Sequence, residues 1–593
     1  MFKSKKPYAL VLSFISVLSC ISTLQTTQAA EKKIVYVSSG GSADNSGLKA
    51  SEPTTFAKAY ADIADIDTIM VMDDMTYEEP PAHSGMLTIK GNTDGVDITL
   101  SNALNLRGDL TVSNVNIIRG GDNYHIYANG HSLVMAEDVT SSQRLIAFGG
   151  TSGKAYTGDT NIKILGGTYD WVCGGSSNAV VYGNANIEFG GNANIGDSIG
   201  NGCIVYGGGN NFTVTGEINI TLSGNAVCQY LFGGSRMKGT DGQSPKKINV
   251  NISGGKAMNI YGGTQNDEMN GCDINVKMTG GSVEGIFGGS NGASLVGNVN
   301  IDILGGKITR RVYTGCYNAT NSSYSSTFKT DYRVKGTTTL RIYPTVSTSN
   351  LLSGSDLDKG LFAGSRYSSA FGDETNTIIF LDGCYSTYKD KINHNSWGGF
   401  EDYVVSATAG GDVQGTAEGG TIYIVSEPGK FATVNGNGEY ETAVASLTNS
   451  GTTVNTVNFV EYNFKTHDMK TTANVSGITV NAQITANNNG ETVYSSPMAI
   501  VAVFDGSGRL VATDLIKNIS GPLGDYTFEL PFKLEREKEY TVKLMLWSDD
   551  EYIYPLSESN VKTVKVGEKT ALKQLMERFK VDYSAVITAD KID

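Results

Sequence analysis

Between about Asn161 and Gly315 the chain repeats itself, and this repetition restricts the fold more than any other property of the sequence. Asn161-Ile-Lys-Ile-Leu-Gly-Gly-Thr-Tyr-Asp-Trp-Val-Cys-Gly-Gly is answered by Ile248-Asn-Val-Asn-Ile-Ser-Gly-Gly-Lys-Ala-Met-Asn-Ile-Tyr-Gly-Gly. Ile274-Asn-Val-Lys-Met-Thr-Gly-Gly-Ser-Val-Glu-Gly-Ile-Phe-Gly-Gly and Val299-Asn-Ile-Asp-Ile-Leu-Gly-Gly are further copies. Each unit holds an alternating run, a Gly-Gly corner, a second short apolar run and another glycine corner. Ile162, Ile187, Ile218, Ile248, Ile274 and Val299 begin successive runs, at spacings of 25, 31, 30, 26 and 25 residues. That is the period of a solenoid.

The alternation predicts strands, with Ile162 and Ile164 facing one side and Asn161 and Lys163 the other. One unit cannot bury its apolar side alone, but stacked units share a core and pair their strands with the units above and below. The pattern therefore predicts a parallel β-helix. Glycine suits its corners, where φ turns positive or neighbouring backbones approach closely. With 72 Gly and only 11 Pro in 593 residues, helical repeats are excluded, because glycine breaks the long helices they need.

The formal charge of −14 excludes a nucleic-acid partner held by phosphate contacts and adsorption to anionic membranes. Lys3, Lys5 and Lys6 precede an apolar stretch from Tyr8 to Leu18, with Thr27-Gln28-Ala29 before Ala30, so residues 1–29 read as an export signal. Its removal takes three lysines and no acid, moving the charge from −14 to −17. Val17-Leu18-Ser19-Cys20 offers the alternative of a lipid anchor at Cys20. No other segment is apolar enough to span a bilayer. Cys173, Cys203, Cys228, Cys272, Cys316 and Cys384 remain after cleavage, none in a Cys-x-x-Cys pair, and the five His are scattered. A zinc site is not expected. The thiols read as buried side chains of the stack, or as disulfides between its units.

Ahead of the repeats, Ile34-Val-Tyr-Val-Ser reads as a strand, Gly40 to Gly47 as a loop, and Pro53 to Ile63 as a short helix with Phe56, Ala59, Tyr60 and Ile63 on one face. Thr68-Ile-Met-Val-Met and Leu87-Thr-Ile-Lys resume strands. Tyr36-Val-Ser, the Asp44-Asn45-Ser46-Gly47 loop, Pro53 with Phe56 and Ala59, and Thr68-Ile69 resemble the opening of pectin-lyase-like right-handed parallel β-helix proteins. The resemblance extends over the glycine-rich repeats to about residue 445. It implies that strand, loop and helix cap the first coil. The superfamily contains polysaccharide lyases, glycoside hydrolases, esterases and non-catalytic adhesins, so it implies a fold and no single activity.

After Gly315 the repeats lose regularity, and Asn318 to Lys335 reads as a polar loop. Strands are expected at Thr337 to Tyr343, Thr377 to Leu381, Tyr403 to Ser406 and Gly420 to Val425. A new domain is expected from Thr453, where Val475 to Ile484, Met498 to Phe504, Arg509 to Thr513 and Tyr540 to Trp547 read as strands and Asp505-Gly506-Ser507-Gly508 as a hairpin turn. These strands predict an immunoglobulin- or fibronectin-like sandwich, similar to modules appended to bacterial surface proteins. Leu572, Leu575, Met576 and Phe579 share a helical face in the tail. The expected organisation is signal 1–29, β-helix 31–452, sandwich 453–566 and helical tail 567–593.

Asn92-Thr93-Asp94-Gly95-Val96-Asp97 resembles the first active-site motif of polygalacturonases, which set paired carboxylates across a glycosidic bond. The accompanying Asp-Asp, Gly-His-Gly and Arg-Ile-Lys motifs are missing, and an Asn-Thr-Asp-Gly turn accounts for the stretch. Asp73, Asp74, Glu78 and Glu79 read as an acidic turn or a weak cation site. Arg310 and Arg311, near Tyr313 and Tyr317, read as a solvated corner or a contact for an acidic sugar. Tyr206, Phe232, Tyr261, Phe287, Tyr313 and Phe362 each follow an aliphatic residue and precede a glycine corner. If the aliphatic column is inward, the rings form an outward ladder about 4.8 Å apart on which sugars can lie; a bend at the corner would instead stack them in the core. The candidate ligand-binding residues are thus Tyr206, Phe232, Tyr261, Phe287, Arg310, Arg311 and Tyr313, with no catalytic, metal or cofactor set. The expected function is that of a non-catalytic bacterial surface or secreted β-helix that binds a polysaccharide or cell-wall glycan. The alternatives are a lyase or hydrolase of acidic glycans, and a structural envelope component.

Overall fold

The computed structural model describes residues 33–93, 95–121, 125–237, 243–266, 268–317, 334–343, 463–487, 497–535, 538–547, 556–557 and 559–565, and the backbone of strands at 360–362, 376–381, 420–426, 446–449 and 452–461. The stretch expected to be an export signal with Cys20, most of the loop expected from Asn318, the strand expected at Tyr403, Cys384 and the tail beyond residue 565 lie outside the described residues.

The architecture is all-β, with long parallel sheets. The longest has sixteen strands, from Ile34–Val37 at one edge, through Thr160–Ile164, Ala185–Phe189 and Glu217–Leu222, to Thr452–Glu461 and the antiparallel Ser446–Asn449. A shorter sheet has ten, from Leu104–Asn105 to Gly360–Phe362. Through the repeats the chain lays one strand in the long sheet and the next in the short one: Thr160–Ile164 then Tyr169–Cys173, Ala185–Phe189 then Cys203–Tyr206. This arrangement is compatible with a solenoid.

The register corrects the alignment of the runs. Ile162 pairs with Ile187, but Ile187 pairs with Ile220, and the row continues through Val250, Val276, Ile301 and Leu340. The true spacings along it are 25, 33, 30, 26, 25 and 39 residues. Ile218 belongs to the preceding inward row, with Thr160, Ala185, Ile248, Ile274 and Val299. Thr160 is fully buried there because its hydroxyl donates to the Gly174 carbonyl at 2.7 Å, which removes the cost of an unpaired polar group. Both rows belong to one continuous apolar core.

The two glycine corners differ in cause. After the long-sheet strand the second glycine takes a left-handed conformation, as at Gly167 (φ +84°). After the short-sheet strand φ is ordinary, and glycine is needed because the next repeat is too close. A Cβ on Gly207 would sit 2.1 Å from the Gly233 carbonyl oxygen.

The N-terminal edge is closed as the sequence predicts. Thr55 caps helix Phe56–Ala61 by accepting from the Lys58 amide, and Phe56, Ala59 and Tyr60 are buried in the repeat core. The free side of edge strand Ile34–Val37 is satisfied locally: Tyr36 N donates to Gly47 O at 2.7 Å and Thr54 N to Tyr36 O at 2.8 Å.

The long parallel sheet runs past residue 453 to Glu461, and the two separate antiparallel sheets begin at Asn463. Asn463–Asn474, Gly477–Asn487 and Gly521–Pro531 make a three-stranded sheet; Leu510–Ile516, Met498–Phe504, Glu539–Trp547 and Asn560–Lys565 make a four-stranded one. Val480 and Phe528 of the first share a core with Val501 and Leu544 of the second. The hairpin turn stands where expected. Asp505 accepts from the Ser507 hydroxyl and amide and the Arg509 amide, bonds that hold its carboxyl down to about 2. Tyr343 and Leu304 of the repeat region pack into this antiparallel core, beside the buried Asp302, which accepts from Tyr343 Oη at 3.2 Å and pairs with Arg341 at 3.5 Å.

Candidate functional site: the outer face of the short parallel sheet

Register brings the expected aromatics into one column and adds members to it. The column runs Tyr127, Phe148, Cys173, Tyr206, Phe232, Tyr261, Phe287 and Tyr313, with Phe362 next by backbone pairing. Its aliphatic neighbours Val205, Leu231 and Ile260 belong to the main core, whereas the rings form a separate cluster. Alternation therefore places them on the outer face, the first of the two arrangements the sequence allows. Exposure does not follow. Tyr206, Phe232, Tyr261, Phe287 and Tyr313 are all buried, with Tyr206 only 1% exposed, which corrects the solvent-facing strip. The rings stack instead: Phe232 on Tyr261 at 4.7 Å with planes 8° apart, and Phe287 on Tyr313 at 5.1 Å with planes 10° apart.

Two rows cover the column. One comes from the residues after the second glycine corner, which are themselves in backbone register: Asn210, Arg236, Gln265, Asn291 and Tyr317 donate to carbonyls one repeat back. Gln265 Oε1 accepts from Tyr206 Oη at 2.6 Å, and Tyr317 stands edge-on to Phe287 at 4.8 Å. The other row lies two residues before the rings, on the same face: His125, Ile146, Trp171, Ile204, Tyr230, Asn259, Gly285 and Arg311. Ile146, Trp171, Ile204 and Tyr230 are half-buried, so the apolar strip that water reaches is this row. The sequence carries the signal, since any residue two before a ladder ring shares its face, but that parity went unused.

The arginines separate. Arg311 is buried, with its guanidinium 5.6 Å from the Phe287 ring centre and 5.8 Å from that of Tyr317, which corrects the solvated corner. Arg310 is half-exposed and pairs with Glu284 at 3.4 Å. Arg236 lies 4.9 Å over Trp171 and donates to Asn210 Oδ1 at 3.0 Å. Arg144 is held by Asp197 at 2.9 Å and Asp170 at 3.4 Å. Burial pushes the Tyr230 phenol above its usual value, with Tyr317 and Glu284 adding and Arg311 opposing.

The long sheet shows a different outer surface. Asn161, Asn186, Asn219, Asn249, Asn275 and Asn300 stand in register, and from Asn186 on each Nδ2 donates to the Oδ1 one repeat before at 2.8–3.3 Å. This amide ladder was visible as an Asn in one slot of every run and was not singled out.

The remaining candidates are structural. Asn92 Nδ2 donates to Met72 O and Gly95 N returns to Asn92 O, a turn with Gly95 at φ +78°; Asp94 lies outside the described residues. Asp73 accepts from Ser38 Oγ and Ser39 N, Asp74 from Asp97 N, and Glu79 from Asn105 N while pairing with Arg107. Among the described residues no group of three His, Cys, Asp or Glu is arranged to hold a metal ion. Cys173, Cys203, Cys228, Cys272 and Cys316 are buried thiols, none of them in a disulfide among the described residues. No described helix is long and apolar enough to cross a membrane.

No protein-family model matches the sequence, and no curated protein is similar to it. A glycosyl hydrolase family 2 member from Bacteroides cellulosilyticus is similar over a limited stretch, at 17% identity and a TM-score of 0.14. The match covers 18% of this chain and 14% of that protein, and a likeness of that extent carries no argument about fold or activity.

Proposed function

We propose that the protein is an exported, non-catalytic glycan-binding scaffold of a bacterial surface. In this reading the parallel sheets are the coils of a right-handed β-helix of the pectin-lyase-like kind, and the antiparallel sheets are an immunoglobulin- or fibronectin-like sandwich that holds the helix outward. The observation that carries it is the half-buried row Ile146, Trp171, Ile204 and Tyr230, set in register over a buried aromatic ladder. The flat rings of Trp171 and Tyr230, which alternate with isoleucines along the row, offer sugar rings a platform that needs little ordering on binding.

The test incubates the mature chain with acidic and neutral polysaccharides, with and without Ca²⁺, and follows both retention of the polymer and new chain ends. Retention without new ends is the expected result. New ends on any polymer would replace this reading with that of a lyase or hydrolase, and the absence of retention would leave a structural component of the envelope.

A further inference from the structure

We infer that the glycan is acidic and lies along the Trp171–Tyr230 row, its carboxylates or sulfates meeting Arg236. This inference rests on the glycan-binding reading and adds the site and the ligand class. Trp171 and Tyr230 stand two repeats apart, with Ile204 between them. From Trp171 to Arg311 the row crosses five repeat steps, about 24 Å at the spacing of paired strands, so its ligand is an oligosaccharide.

Charge selects the class. The chain as a whole carries −14, yet the side chains on or beside this face include Arg119, Arg144, Arg236, Arg310 and Arg311 against Asp170, Asp197 and Glu284. Arg144 is spent on Asp170 and Asp197, Arg310 pairs with Glu284, and Arg311 is buried under the rim. Arg236 is placed differently. Its guanidinium lies over Trp171, one N–H goes to Asn210, and the residue as a whole is half-exposed, so the fork has donors beyond the one Asn210 takes. A guanidinium held in that way loses little freedom when it binds a carboxylate in a bidentate pair. An anionic sugar chain satisfies both features, through ring faces on Trp171 and Tyr230 and acid groups on Arg236.

The experiment measures binding of uronate oligosaccharides from alginate and of neutral cello-oligosaccharides to the mature chain, over a salt titration. Trp171→Ala, Tyr230→Ala and Arg236→Gln are compared with Trp171→Phe, and circular dichroism confirms that each variant is folded. The expected result is binding of the uronate that weakens with salt. Trp171→Ala and Arg236→Gln should each lose about tenfold in affinity, the loss expected at a central aromatic or arginine contact, with Trp171→Phe restoring most of it. Uronate binding that none of the three variants alters would overturn this site and leave the function standing. Equal, salt-insensitive binding of the neutral oligosaccharide would overturn the acidic class. Binding of neither would overturn the glycan-binding reading itself, and this inference with it.

Discussion

The Arg311 side chain lies across the bare backbone of Gly285: a Cβ built on Gly285 would stand 3.1 Å from Arg311 Cγ and 2.8 Å from Asn259 Oδ1. The two are register partners in adjacent strands. A side chain missing from one repeat thus makes room for a long one from the next, and Arg311 reaches Phe287 and Tyr317 through that space. Gly285→Leu should destabilise the folded chain by about 1–3 kcal/mol, the usual cost of overpacking. In the Arg311→Ala background the same substitution should cost less, and a double-mutant cycle on chemical unfolding reads that coupling.

The two kinds of glycine corner predict two different responses. Gly167→Ala meets a positive φ, so it should cost about 1–2 kcal/mol, with Gly167→Asn milder because Asn tolerates that region. Gly207→Ala instead drives a methyl into the Gly233 carbonyl at 2.1 Å, and no choice of side chain relieves it. The Gly207 variant should be the less stable of the two, and Asn should bring no rescue there. Unfolding midpoints of the four proteins decide it.

Truncating the ladder should be expensive. Phe287 is fully buried between Tyr261 and Tyr313, so Phe287→Ala should cost about 3–5 kcal/mol. Phe287→Tyr should be far milder, since the column itself alternates the two residue types. Thermal unfolding of both variants checks the pair.

The repeat, the alternation and the Asp505 hairpin were legible because each depends on local spacing. The row alignment was not. In two repeats the first inward slot holds Thr160 and Ala185, so Ile162 and Ile187 look like the start of a run when they are its second inward residue. The aromatic column was legible as to face and illegible as to exposure for a related reason. Parity within one strand sets the face, but the cover comes from Gln265 and Tyr317, whose positions depend on how successive repeats register. The half-exposed strip then falls to Trp171 and Tyr230, residues that no single repeat marks out.

The amide ladder should behave as a chain of equal links. Asn249 donates to Asn219 at 2.8 Å and accepts from Asn275 at 3.0 Å, whereas Asn161 at the end accepts one bond, from Asn186. The Asn249 bonds are half-exposed and the Asn161 bond is exposed, so each contributes about 0.5–1 kcal/mol, toward the lower part of the usual range. Asn249→Ala should therefore cost roughly twice what Asn161→Ala does. Equal losses in denaturant titrations would show that the ladder is incidental to the cohesion of the repeats.

The thiols connect the core to pH. Burial pushes Cys228 and Cys272 up to about 12 and raises Cys173 and Cys203 as well, with Cys228 adding to the rise at Cys203. An unfolded thiol titrates near pH 8.5. Above that value the unfolded chain has lost protons that the folded chain keeps, so stability contributed by these groups is complete below about pH 8.5 and falls as pH rises toward the folded values. Denaturant midpoints should accordingly decrease between pH 8.5 and 10.5, and replacing Cys228 and Cys272 with Ala should flatten that part of the profile. Alkylation gives the independent check. At pH 8 iodoacetamide should leave these four cysteines unmodified in the folded protein and label all of them in denaturant, as read by mass spectrometry of the digested chain.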